Sequence, residues 1–151
     1  MSQLQEIWDR EQCPIVNGVM FADGTVKLVK LDATSKQTRS VVRGSETSLE
    51  SLQGSGTILN SFYTEMGEAV DESRSVKAVC GGAGMGADGF VALLQHPSNQ
   101  LEWVAFFDFA NPFVDVRISE GRVIARNNLG EIWSFQIDAP QEIRIEGRLT
   151  N

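Results

Sequence analysis

The sequence predicts a mainly β domain: an antiparallel meander forming a β-sandwich or an open barrel, similar to a fragment of a propeller, with a short N-terminal helix. Three observations predict it. From Ser75 onward, the runs SVKAVC, FVALLQ, LEWVAFF, FVDVRI, RVIARN, EIWSFQI and EIRIEGRL follow one another at short spacing. The breaks between them are turn residues, namely Pro97-Ser98-Asn99, Asn111-Pro112, Glu120-Gly121 and Leu129-Gly130. No run of helical length separates the strands, so neighbours in sequence are expected to pair. A chain of 151 residues is about one domain, 1–151. Its 42% hydrophobic and 22% charged residues are those of a chain that can bury a core.

The elements follow in order. Ser2 to Arg10 is a candidate helix, with Ser2 as N-cap and Leu4, Ile7 and Trp8 on one face. After Pro14 the pattern turns to strands. Val16 to Ala22 and Thr25 to Leu31 flank Asp23-Gly24, a two-residue hairpin signal. Asn17-Gly18 is a similar pair, but a turn there leaves too little strand, so Gly18 is expected to mark a bulge or a close approach. Residues 44–56, rich in Gly and Ser, are expected to be a loop with one helical turn. Thr57 to Thr64 is a strand candidate, and Glu65 to Arg74, polar and acidic, is expected to be a loop or short helix. Leu101 to Phe113 holds five of the twelve aromatics. Both faces of that strand are apolar, which predicts a central core position. The acid-Gly-x-Val pattern at Asp23, Asp88 and Glu120 has no fixed period and fits recurring hairpins rather than a repeat array.

The net charge of −7 is regional. Between Gly44 and Ser73 lie Glu46, Glu50, Glu65, Glu68, Asp71 and Glu72 with no Lys or Arg, leaving 14 acids against 13 bases elsewhere. Lys27, Lys30, Lys36, Arg39 and Arg43 precede that window, around Asp32. An acidic total argues against nucleic acid as a ligand. No run approaches the roughly 18 apolar residues of a membrane span. MSQLQEIWDREQ lacks the pattern of a signal peptide, so no membrane partner and a cytoplasmic location are expected. Cys13 and Cys80 fit no metal or redox spacing and are expected to be reduced, partly buried thiols.

Chemistry is sparse. His96, next to Pro97, is the only histidine and has no nucleophile setting beside it. One His and two distant Cys do not make a zinc site, and no calcium loop is present, so no metal or other cofactor is expected. Gly84, Gly86 and Gly89 in GGAGMGADGFV spell G-x-G-x-x-G, but a strand pattern rather than a helix follows, so phosphate binding lacks its context. Gly84, Gly86, Asp88 and Gly89 remain candidates for a loop that contacts a partner. Asp108, at a strand end, is the first carboxylate to inspect for acid–base work, with capping of the Asn111-Pro112 turn as its simpler role.

This points to a non-catalytic binding protein. In class, as an acidic β-rich chain without catalytic motifs, it resembles bacterial toxin-immunity proteins, a resemblance spread over the whole chain and anchored by no motif. The resemblance implies an acidic surface that covers a basic protein partner such as a toxin domain. Glu65, Glu68, Asp71 and Glu72 are the expected contacts, with Glu46 and Glu50 behind them. Two alternatives stand beside it. One is a small-molecule binder or carboxylate-dependent enzyme using the Gly81 to Gly89 loop. The other is a homo-oligomeric structural module that associates through the aromatic strand.

Overall fold

A computed structural model describes residues 2–32, 39–56, 58–84 and 86–147. The elements in chain order are α1 (Gln3–Asp9), β1 (Gln12–Pro14), β2 (Gly18–Phe21), β3 (Thr25–Asp32), β4 (Ser40–Ser48), α2 (Leu49–Gly54), β5 (Asn60–Asp71), β6 (Val76–Ala83), β7 (Gly89–Gln95), β8 (Leu101–Phe107), β9 (Phe113–Ser119), β10 (Arg122–Asn127), β11 (Ile132–Gln136) and β12 (Ala139–Glu146). Two antiparallel sheets result. An eight-stranded sheet runs β1-β5-β6-β7-β8-β2-β3-β4, and a four-stranded sheet runs β12-β11-β10-β9. The mainly β class and the short N-terminal helix are as the sequence predicts, and neither sheet closes into a barrel.

The large sheet is the middle layer. Alternation along β7 sends Phe90, Ala92 and Leu94 to one face, where they meet Leu4, Ile7 and Trp8 of α1 and Leu49 of α2. Val91 and Leu93 face the other way, into a cluster with Val116, Val123, Ala125, Trp133 and Phe135 of the small sheet. The small sheet lies with β9 against β5 and β6, and β12 against β4 and β2. β8 is buried on both faces, with Trp103, Ala105 and Phe107 in one cluster and Val104 and Phe106 in the other. The aromatic strand is therefore core, and it offers no surface for self-association.

The meander expectation holds within three runs, β2–β4, β5–β8 and β9–β12, and fails between them. β2 pairs with β8, so the connection through α2 carries the chain from the last strand of the sheet order, β4, to the second, β5. The Asp23-Gly24 hairpin forms as expected. Gly24 sits at φ 94° and the Asp23 carboxylate accepts the Thr25 N–H at 2.9 Å. Gly18 is a close approach, since a Cβ there would overlap the Lys27 carbonyl oxygen. Ser2 caps α1, its hydroxyl accepting the Gln5 N–H at 3.1 Å.

Two segments differ from expectation. Residues 44–48 belong to β4 rather than to a loop, pairing with Thr25 to Lys27. Only after Ser48, which caps α2 by accepting the Ser51 N–H, does the helical turn begin. Glu65 to Asp71 continues β5 to a length of 12 residues instead of forming a loop or helix. The inward positions there are Gly67 and Ala69, too small to register as apolar alternation. Gly67 suits a close approach, because a Cβ would stand 3.1 Å from Cys80 Sγ and 3.5 Å from Asp115 Cα. Pairing with β6 overrides the local polarity. Thr57 and Lys36 lie outside the described residues, as does the end of the last predicted strand, beyond residue 147.

Candidate functional site

The acidic window does not form one surface. β4 carries Glu46 and α2 carries Glu50, at one end of the large sheet's strand order, while Glu65 and Glu68 lie on β5 at the other end. Asp71 closes β5 as a turn cap. Its carboxylate accepts the Ser73 hydroxyl at 2.6 Å, the Ser73 N–H at 3.0 Å and the Arg74 N–H at 3.3 Å. These bonds hold the carboxyl below its usual range. Glu72 lies in that turn with its carboxylate 3.6 Å from His96 Nε2.

Glu65 meets residues that the window did not contain. It lines a groove of about 250 Å³ with Asp9 from the end of α1, Glu11, Lys77 of β6, and the rings of Trp8 and Tyr63. The two rings stack at 4.2 Å with an interplanar angle of 17°, and both meet the edge of Phe90. The Tyr63 N–H donates to the Glu11 carbonyl at 3.0 Å, so Glu11 and Tyr63 are held side by side. Glu68 stands beside the groove with its carboxylate 4.0 Å from Lys77 Nζ. Partial burial, then repulsion from Glu68, raise the Glu65 carboxyl above its ordinary value, with Lys77 only partly opposing them. Burial pushes the Tyr63 phenol up as well, with Glu65 and Glu11 adding to the shift. Among the described residues, no three His, Cys, Asp or Glu side chains converge as a metal site.

Asp9 and Glu11 escaped sequence reasoning because they lie about 55 residues from Glu65 in the chain. The one local signal was that Asp9 falls off the apolar face of α1. That predicts exposure, not a neighbour on β5.

The glycine segment is explained by packing. Gly81 lies in β6 and Gly89 opens β7. A Cβ at Gly81 would overlap the Thr64 carbonyl oxygen, and one at Gly89 would overlap the Asn111 carbonyl oxygen and crowd the Phe113 ring at 3.0 Å. Asp88 and Gly89 are buried, so they are not the loop contacts expected of them. The Asp88 carboxylate instead accepts the Ala83 N–H at 2.8 Å and ties the turn together. Gly84 and Gly86 are exposed in that turn, Gly86 at φ 85°. Gly89→Ala is expected to lower the unfolding free energy by about 1–3 kcal/mol or more, since the atoms in its way are backbone. Gly84→Ala, whose Cβ would meet only Ser61 Oγ at 3.6 Å, should cost no more than about 0.5 kcal/mol. Urea denaturation of both variants checks this, and equal losses would contradict the packing account.

Asp108 is exposed, and it is its backbone N–H that is engaged, donating to Asn17 Oδ1 at 2.7 Å. The Asn111-Pro112 turn is held by other bonds: Asn111 N–H to the Ala87 carbonyl, Asn128 N–H to the Pro112 carbonyl, and Asn111 Nδ2 to Asn128 Oδ1. Cys13 and Cys80 are buried free thiols. Burial and the nearby Asp115 and Glu65 push Cys80 up to about 12, far from a reactive thiolate.

A second polar constellation, away from the groove, ties the two sheets. Arg39, entering β4, donates from Nε and Nη2 to the two Glu131 carboxylate oxygens at 2.8 and 2.6 Å, and from Nη1 to the Phe109 carbonyl at 2.8 Å. Asn127 Nδ2 and Trp133 Nε1 also donate to Glu131 Oε1, at 2.8 and 3.2 Å. Burial pushes the Glu131 carboxyl up, but the bonds from Arg39, Asn127 and Trp133 outweigh it and hold the group below its ordinary value.

Among the described residues, no helix is long and apolar enough to cross a membrane. Compared with known proteins, the chain matches no family model, no curated protein and no solved structure.

Proposed function

We propose that the protein is a non-catalytic binding protein, an inhibitor of the immunity type acting in the cytoplasm, that seats a basic segment of a protein partner in the groove between α1, β5 and β6. The observation that carries this reading is the joining of Asp9, Glu11 and Glu65 with the Trp8–Tyr63 ring pair in one depression. A guanidinium or ammonium group gains there both a carboxylate and an aromatic neighbour. Glu68 extends the negative field beyond the groove, which steers a cationic partner toward it. Two buried free thiols suit a reducing compartment.

The test is binding of an arginine-rich peptide at low salt to wild type and to two variants. D9N/E11Q/E65Q/E68Q should weaken association about tenfold or more and flatten its salt dependence. E46Q/E50Q, which alters the other end of the sheet, should leave association within about twofold of wild type. Equal behaviour of the two variants would overturn the reading. A pH series adds a second check. Glu65 titrates above the ordinary glutamate value, so association should begin to weaken as pH falls through that raised value.

A further inference from the structure

The outer face of the small sheet departs from the charge of the rest of the molecule. Against a net −7, four of the nine arginines, Arg117, Arg122, Arg126 and Arg144, sit on β9, β10 and β12. Strand register explains how they meet. Arg117 pairs with Ile124, Ile124 with Ser134, and Ser134 with Arg144, so one row of side chains crosses all four strands. At about 4.8 Å per strand its ends stand roughly 14 Å apart. Arg122, two residues from Ile124 on the same face, reaches the middle of the row and donates from Nη1 to Ser134 Oγ at 3.2 Å.

These side chains line a depression of about 290 Å³ with Ile132 and Glu146. Three guanidinium groups therefore face one concavity that holds a single carboxylate. Arg117 and Arg144 have no ion-pair partner among the described residues, whereas Arg126, outside the depression, has Asp115 at 3.8 Å. The reverse face of this sheet is packed core, with Val116, Val123, Ala125, Trp133 and Phe135 buried, so the arginines project from a rigid platform.

We propose that this depression is a binding site for a small molecule carrying two or more phosphate or carboxylate groups, held by Arg117, Arg122 and Arg144 with the Ser134 hydroxyl. Guanidinium forks match both oxyanions bidentately. Three of them spread across the strands match an anion with more than one charged group. Ile124 and Ile132 supply apolar contact for the body that joins those groups. The volume is near the lower end of small-molecule sites. No aromatic side chain stands on this face for a base to stack on, and the overall acidity repels an extended nucleic acid. The site is on the other sheet from the acidic groove and does not depend on it.

Calorimetric titration with pyrophosphate and with citrate tests the proposal and separates the phosphate source from the carboxylate one. Binding of either, tighter than that of inorganic phosphate, is expected. R122Q and R144Q should each weaken it about tenfold or more. The double variant should abolish it, and R126Q should change it by less than about twofold. All three positions project outward, and thermal unfolding confirms that each variant is folded. Backbone amide shifts on titration of wild type should concentrate in β9 to β12. The proposal is overturned if neither anion binds at concentrations up to about 10 mM, a generous limit for a three-arginine site. It is equally overturned if R122Q/R144Q binds as wild type does, or if the shifts fall elsewhere in the molecule.

Discussion

Replacing Arg39 by alanine is expected to lower the unfolding free energy by about 3–5 kcal/mol, because it strands a buried carboxylate. Glu131 is 1% exposed at its side chain and Arg39 11%, so water does not replace the lost guanidinium. Asn127 and Trp133 still donate to Glu131, but neither carries charge. The Phe109 carbonyl loses its donor as well. Glu131→Gln in the Arg39→Ala background should recover part of the loss, since a neutral amide is far cheaper to bury than a carboxylate. Guanidinium denaturation at neutral pH measures both, and a loss under about 1 kcal/mol for Arg39→Ala would contradict the account. Acidity gives an independent reading. The Glu131 carboxyl is held below its ordinary value of 4.5, so its stabilising effect is complete above that value. It declines as pH falls from there through the lowered value of the folded state. The penalty of Glu131→Gln should therefore be largest at neutral pH and shrink on acidification below about 4.5.

Trp133→Ala should cost about 3–5 kcal/mol, the usual toll of deleting a buried indole. Trp133 is fully buried and stands at the centre of the small sheet's inner face, 4.9 Å from the Phe107 ring, 5.3 Å from Phe113 and 6.3 Å from Phe109. Its loss opens a cavity that the surrounding rings, themselves packed, fill only in part. Trp133→Phe keeps most of the apolar area and loses the N–H bond to Glu131, so about 1–3 kcal/mol is expected. Trp133 and Arg39 both touch Glu131, so their effects should not add. A double-mutant cycle should return a coupling of about 0.5–3 kcal/mol. Simple additivity within experimental error would show that the carboxylate does not link them.

Much of the β architecture was legible because it is local. Phe90 to Leu94 alternates between two apolar faces, and LEWVAFF is apolar on both apart from Glu102. A strand with both faces apolar must lie between two layers. Asp23-Gly24 identifies its hairpin by itself, since the turn chemistry needs only adjacent residues. Leu4, Ile7 and Trp8 identify the buried face of α1 in the same way. β5 was not legible. Its inward residues after Tyr63 are Gly67 and Ala69, chosen for closeness to Cys80 and β9 rather than for apolarity. The packing role of the glycine-rich segment was hidden for the same reason. Gly81 and Gly89 answer to carbonyls of Thr64 and Asn111, which no window around them contains.

The sequence by itself determined that this is a β-rich, acidic chain with a buried aromatic strand, a capped N-terminal helix, and acidity concentrated between Gly44 and Ser73. Those are properties of composition and of spacing over a few residues. Only the tertiary structure decided which charges are neighbours. The crossing through α2 sends Glu46 and Glu50 to one end of the sheet order and Glu65 and Glu68 to the other, where Asp9 and Glu11 wait. Register across four strands gathers Arg117, Arg122 and Arg144. Arg39 finds Glu131 from 92 residues away. Side-chain charge acts through space over a few ångströms, whereas the order of strands in a sheet is set by burial of their apolar faces. Groups that share a stretch of chain can thus be parted, and groups far apart in it can be joined.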